Sequence, residues 1–223
     1  MYKKHPNILV QSEKRGYVRE KILRVLLNHP QERLTKYRIV KNSGANISWV
    51  IEFLKKLEKM GLVEGTKVKD YRKLVLLWRD LRKRPEFREY MVKKPLELLK
   101  KTDLQYALTT YQAENFVQQY LFPSRIDFYI DPKDREKWHR ILTEEGLAGK
   151  GNTRVLIEDI HVFYNTSDKN GLNVVSIPQL VVDLLEEGGT CTEAAEMLMK
   201  KADKYGVKIG KLVRDVLEEK IRT

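Results

Sequence analysis

The chain has 223 residues, 42% of them hydrophobic and 33% charged, which is apolar surface enough for one or two small domains and too much for a compositionally disordered chain. Its longest uncharged stretch, 170–182, falls short of the roughly 20 apolar residues that a membrane-spanning helix needs, and the opening MYKKHPNILVQSEKRG has no apolar core of a secretory signal, so a cytoplasmic protein is expected. One cysteine, Cys191, and four scattered histidines exclude an internal disulfide and give no metal-ligand spacing; no metal and no cofactor are implied.

Charge divides the chain. Residues 1–101 hold 27 Lys and Arg against 11 Asp and Glu, a net +16, whereas 102–223 hold 16 against 20, a net −4. A basic module joined to a mildly acidic one suggests that the first meets a polyanion by neutralising phosphates, with a solubility bias as the bland alternative.

In chain order, residues 1–15 are polar. From Gly16, Val18, Ile22, Val25 and Leu26 stand at helical spacing, with Pro30 as a stop. Thr35 offers an N-cap for a short helix KYRIVKNS, which Gly44 can end. A third helix, ISWVIEFLKKLEKM, lines up Ile47, Val50, Ile51, Leu54 and Leu57, and its other side carries Ser48, Trp49, Glu52, Lys55, Lys56 and Lys59. Two strand-like runs, LVEGTKV and YRKLVLLW, then read as a basic hairpin. Three helices and a hairpin make the winged version of the helix-turn-helix. Residues 79–101, with nine Lys and Arg against four Asp and Glu and interrupted by Pro85 and Pro95, read as a basic connector.

Beyond Lys101 the signals become mixed. A helical stretch with Ala113, Phe116, Val117 and Tyr120 ends before Pro123. Residues 124–131 alternate, with Ile126, Phe128 and Ile130 on one face and Asp127, Tyr129 and Asp131 on the other, which specifies a strand. Asp131-Pro132 starts a helix running to about Glu145. TRVLIED, IHVFYN and LNVV read as further strands, and capping boxes at Ser176 and Thr190 start two helices. A last apolar stripe, Ile209, Leu212, Val213, Val216 and Leu217, predicts a terminal contact helix over 207–221. The expected fold class is therefore α+β, with an N-terminal winged helix-turn-helix domain (1–78), the connector (79–101) and a mixed α/β domain with a small sheet and C-terminal helices (102–223).

The pattern LTKYRIVKNSGANISWVIEFLKKLEKMGLVEG resembles the winged-helix regions of many prokaryotic transcription regulators. With YALTTYQAENFVQQYLFPSRIDFYI and the later GLNVVSIPQLVVDLLEEGGTCTEAAEMLMKKA, most of the chain resembles AbiEi-type proteins, although the Gly usual after the first Leu-Thr is here Thr110. The resemblance implies a sequence-specific DNA-binding regulator, the antitoxin of a type IV toxin-antitoxin pair, repressing its own operon and counteracting a nucleotidyltransferase-like toxin. Double-stranded DNA and that toxin are the implied partners, with a homodimer allowed. Val174, Ile177, Leu180, Val181, Leu184 and Leu185 read as a packed strand-to-helix corner rather than as chemistry.

For DNA contact, Asn46, Ser48, Trp49 and Glu52 are the candidate groove readers, Trp49 being equally a core residue. Lys36, Arg38, Lys55, Lys56 and Lys59 are candidate phosphate contacts. Lys67, Lys69, Arg72 and Lys73 cluster at the hairpin turn, where they could reach the neighbouring backbone or simply guard a strand edge. The rival reading is a metal-dependent nucleotidyltransferase acting on nucleic acid. It needs paired carboxylates, and Asp127 and Asp131 at roughly 3.3 Å per residue lie too far apart on one strand to share a metal. GLAGKGNT fails the spacing of a phosphate loop, and no Ser-His-Asp or Cys-His set is arguable. No catalytic residue is assigned on these grounds and the chain is expected not to be an enzyme; a nonspecific nucleic-acid-binding protein is the third reading.

Overall fold

The computed structural model describes residues 7–205, so the expected helix 207–221 lies outside the described residues. The chain divides into two compact units, one through Lys83 and one from Arg84.

The first unit is helical. Helix α1 (Asn7–Leu27) begins well before Gly16, and Ile22, Leu23, Val25, Leu26 and Leu27 are all fully buried. Helix α2 (Lys36–Ser43) is capped by Thr35, whose hydroxyl accepts from the Arg38 amide, and ends on Gly44 in the left-handed region at φ 65°. Helix α3 (Ile47–Lys59) starts on Asn46 and buries Val50, Phe53, Leu54 and Leu57. Ile47 and Ile51 border that stripe instead of forming it, Ile47 being 44% exposed.

A two-residue pair of strands, β1 (Val63–Glu64) and β2 (Lys67–Val68), follows, joined antiparallel through Gly65-Thr66. The Thr66 hydroxyl donates to the Leu34 carbonyl at 2.5 Å, tying the turn to the loop before α2. The second half of the expected hairpin is different: YRKLVLLW forms helix α4 (Tyr71–Leu81), capped by Asp70 and burying Tyr71, Leu74, Val75 and Trp78. That spacing of i, i+3, i+4, i+7 is helical, and an Asp at the N-cap outweighs the β-branched and aromatic content. Helix α4 packs on α1, where Glu20 pairs with Arg24 at 3.1 Å and meets Arg82 at 3.7 Å, all three buried.

Residues 79–101 are not a connector. They hold the end of α4, then strand β3 (Glu86–Val92) and helix α5 (Pro95–Lys101), both of the second unit. That unit is mixed α and β. It continues with β4 (Tyr106–Thr109), α6 (Thr110–Val117), β5 (Ile126–Ile130), α7 (Arg135–Glu144), β6 (Gly146–Ala148), β7 (Thr153–Ile157), β8 (Ser167–Lys169), β9 (Leu172–Val174), α8 (Ile177–Glu187) and α9 (Thr190–Tyr205). IHVFYN, expected as a strand, is a short 3-10 turn over Ile160–Phe163 capped by Asp159. GLAGKGNT is partly the edge strand β6; a Cβ on Gly146 would run into the Met91 carbonyl of β3, so glycine permits that pairing.

One seven-stranded sheet runs β6-β3-β7-β5-β4-β9-β8. The β4–β9 and β5–β7 pairs are parallel and the others antiparallel. Registers set two faces. On one, Phe128 of β5 meets Tyr106 and the Trp138 ring of α7 in tilted and edge-on contacts with centroids 5.1 to 6.1 Å apart. On the other lie Thr109, Asp127, Tyr129, Arg154, Leu156, Glu89 and Phe87, covered over β4 and β5 by α8 and α6. The same face over β3 and β6 leaves Phe87, Met91 and Leu147 exposed. The strand-to-helix corner expected around 174–185 is packed, with Val174, Ile177, Leu180, Val181 and Leu184 buried, and Leu185 is half-buried.

Glu20→Ala should cost about 3 kcal/mol of unfolding free energy, because two buried guanidinium groups lose the carboxylate they share. Chemical denaturation of the full chain reads this, and a loss under about 1 kcal/mol would place the pair among dispensable contacts.

Candidate active-site cleft and basic face

In the first unit, the structure places Lys36, Arg38, Asn46, Ser48, Glu52, Lys55, Lys56, Lys59, Lys67, Lys69, Arg72 and Lys73 at exposed positions. Several are already engaged. The Asn46 side chain accepts from the Ser48 amide at 2.9 Å, Lys56 pairs with Glu52 at 2.7 Å, Arg38 with Glu32 at 2.9 Å and Lys73 with Asp70 at 3.0 Å. Trp49 is half-buried and lines a cleft of ≈ 160 Å³ with Val18, Arg19, Ile22 and Phe53. Arg72 and Lys73 stand in the first turn of α4, not on a hairpin strand, so Lys67 and Lys69 alone remain beside the turn.

The second unit holds a cleft of ≈ 130 Å³ where β4 runs into α6. Thr110, the first residue of α6, lines it at φ 48°. For a β-branched residue this left-handed conformation is strained, by about 1–3 kcal/mol. The Thr110 hydroxyl donates to Asp127 Oδ2 at 2.6 Å. Thr109, with no side-chain capping bond to α6, instead donates its hydroxyl to Asp183 of α8.

Asp183 is buried and also accepts from the Tyr129 hydroxyl at 2.8 Å and from Gln179 at 2.9 Å. Asp127 is 1% exposed and takes both arms of Arg125, at 2.5 and 2.8 Å. The same guanidinium reaches Glu187 at 2.9 Å, Glu187 accepts from Arg154 at 3.3 Å, and Arg154 bonds Glu89 at 3.0 Å while lying over the Phe87 ring. Burial opposes the charge on Arg125, but its bonds to Asp127 and Glu187 outweigh it and hold the guanidinium above its ordinary value. Burial likewise pushes the Glu187 carboxyl up, and Arg125 and Arg154 more than reverse this, leaving it below its ordinary value. Burial, helped by Cys191 and Glu187, raises the Tyr111 phenol, which stays a donor to Glu187 at 3.2 Å.

Of the carboxylates weighed from sequence, Asp127 is in this cleft. Asp131 is elsewhere employed: it caps the turn Pro132–Asp134 and pairs with Lys133 at 2.8 Å. Arg125, Tyr129, Arg154, Asp183 and Glu187 went unread. The signal for Asp183 and Glu187 was a polar stripe on an otherwise apolar helix, Gln179, Asp183 and Glu187 at i, i+4, i+8. Among the described residues no three His, Cys, Asp or Glu side chains converge as a metal ion requires. Nor is any described helix long and apolar enough to cross a membrane.

No family model and no curated protein matches the chain. A solved structure similar to it is the Megavirus polyadenylate synthase, at 10% identity and a TM-score of 0.37, covering 92% of this chain and 44% of that one. The chain thus spans under half the length of that protein, and similarity at this level sets neither fold nor function. The expectation of an AbiEi-type DNA-binding regulator and antitoxin is corrected here, together with the expectation that the chain is no enzyme. No family model and no curated protein supports that resemblance.

Because Glu187 sits below its ordinary pKa of 4.5, the unfolded chain binds more protons than the folded one as pH falls through that range. Its contribution to stability is therefore complete above pH 4.5 and lost below it as the folded-state value is passed. Glu187→Gln should lower stability at neutral pH and flatten the acid limb of the denaturation midpoint against pH; an unchanged limb would show that the ionised carboxylate adds nothing.

Proposed function

We propose that the chain acts on nucleic acid, the first unit holding the polyanion and the second carrying a nucleotidyl-transfer centre in the Thr110 cleft. The observation that carries this reading is the corner itself. A strained residue opens a helix N-terminus into a cleft, directly against a buried carboxylate on the neighbouring strand. Backbone strain gathers at functional sites, and a helix N-terminus presents amides and a positive dipole end to a phosphate. Arg84 and Arg154 also line the cleft and supply charge for a phosphate-bearing ligand. Asp127 accepts from Arg125 on both oxygens and from the Thr110 hydroxyl, so its part in the cleft is to hold those two groups in place.

Nucleotidyl transfer ordinarily draws on divalent cations. The donor set here does not fit such a centre. Asp127 and Glu187 are bridged by Arg125, Asp183 is filled by three donors, and among the described residues no three such side chains are grouped to hold a metal ion. No step is therefore assigned to a metal.

In the first unit, α2 packs on α3, and the two-residue strands β1 and β2 follow. The exposed lysines of α3, Lys55 and Lys59, with Lys36, Lys67 and Lys69, suit backbone phosphates. Asn46, Glu52 and Lys56 are committed to capping and to each other, which favours a grip on the backbone over base reading.

Incubating the chain with a nucleoside triphosphate and a nucleic-acid acceptor should yield a nucleotide-extended product and one pyrophosphate for each nucleotide added, as the acceptor hydroxyl replaces pyrophosphate on the α-phosphorus. Asp127→Asn, which loosens the hold on Arg125 and Thr110, should slow that transfer by about 100-fold or more. Lys55→Ala with Lys59→Ala should raise KM for the acceptor and reduce the salt dependence of binding, with kcat unchanged. Transfer that survives Asp127→Asn, or no transfer to any acceptor, would overturn the reading.

A further inference from the structure

The cleft's carboxylates look at first like the start of a cation site, and the question is what holds their charge. Asp127 has both oxygens occupied, Oδ1 by Arg125 Nε at 2.5 Å and Oδ2 by Arg125 Nη2 at 2.8 Å and the Thr110 hydroxyl at 2.6 Å. Arg125 Nη2 also reaches Glu187 Oε1 at 2.9 Å, so one planar group spans two carboxylates on different elements, β5 and α8. Glu187 Oε2 meets Arg154, which is itself shared with Glu89. The side chains of Arg125, Asp127 and Glu187 are 18%, 1% and 23% exposed, so solvent screens the cluster weakly. A bridging position between a buried and a half-buried carboxylate, in reach of a hydroxyl, is where a hard cation would bind oxygen ligands.

We infer that the Arg125 guanidinium takes the place of a divalent cation between Asp127 and Glu187, so that the wild-type cleft is closed to metal and its neutralising charge belongs to the chain. This rests on the same cleft as the transfer reading, but concerns its charge balance alone. A guanidinium differs from a metal in what it does there. It donates along fixed directions and so sets the orientation of both carboxylates, but it cannot gather carboxylate and phosphate oxygens around one centre as a metal ion does. A phosphate entering the cleft is left to the α6 N-terminus, Arg84 and Arg154.

Mn2+ binding to the full chain, followed by the electron paramagnetic resonance signal of the free ion, tests this without measuring transfer, so failure of the transfer reading leaves the result intact. Wild type should leave Mn2+ free. Arg125→Ala, which removes one positive charge and frees two carboxylates, should bind one Mn2+ about tenfold or more tightly than wild type does. Adding Glu187→Gln to that variant should abolish the gain and so locate it. If Arg125→Ala folds only once Mn2+ is added, as circular dichroism would report, the same conclusion stands. It is overturned if wild type binds a Mn2+ that Asp127→Asn releases, or if Arg125→Ala neither binds Mn2+ nor is refolded by it.

Discussion

The second unit depends on one guanidinium. Arg125 stands at the entry to β5 and is shared between a carboxylate of its own strand and one at the end of α8, 62 residues further along the chain. Buried carboxylates without a counter-charge would cost several kcal/mol each. The bridge thus decides whether α8 can lie over the polar stripe of β4 and β5 at all. Its companions follow the same logic. Asp183 would be intolerable under α8 but for Thr109, Tyr129 and Gln179, which fill it from β4, β5 and its own helix. The layer between α8 and the sheet is therefore a connected polar network flanked by apolar packing, and such a network fixes one register where greasy contacts alone tolerate several.

The opposite face of the sheet shows the contrast. There Phe128, Tyr106 and Trp138 stack edge to face with buried aliphatic residues around them, and specificity comes from shape. Beyond the cover of α8, the polar face runs on to β3 and β6, where Phe87, Met91 and Leu147 meet solvent. The cleft lies at that transition, and its lining accordingly mixes Phe87 and Leu156 with Thr110, Asp127 and Arg154, the combination of apolar wall and few polar groups typical of ligand sites.

Local chemistry was legible in the sequence wherever a single residue decides it. Thr35 and Gly44 bound α2 as capping rules require, and the alternation of Ile126 to Ile130 marked β5, whereas Asn46, expected to read a groove, caps α3. YRKLVLLW misled because its β-branched and aromatic content favours a strand, while the Asp70 cap and the Tyr71-Leu74-Val75-Trp78 spacing favour a helix, and the latter won. β3 was hidden because EFREYMV mixes polar and apolar residues on both of its faces. The candidate cleft was illegible for a different reason. Apart from the local Arg125–Asp127 and Gln179–Asp183 bonds, it is built from bonds between residues 17 to 76 positions apart, and no periodicity encodes which strand will lie beside which. Asp127 was paired in sequence with Asp131 on the same strand, whereas the fold pairs it with Arg125 and the Thr110 hydroxyl, and Arg125 in turn with Glu187 of α8.

The residue at 110 ties these strands of argument together. The corner between β4 and α6 requires a left-handed backbone, which glycine would adopt freely and threonine adopts under strain. A glycine there would relieve the backbone yet leave Asp127 with one donor fewer in a site that water hardly enters. The hydroxyl bond to a charged, buried acceptor is worth about 1.5–3 kcal/mol, comparable with the strain it offsets. Threonine therefore holds this position because of what faces it across the cleft: the backbone alone would choose glycine, and it is the Arg125-bound carboxylate that reverses the choice.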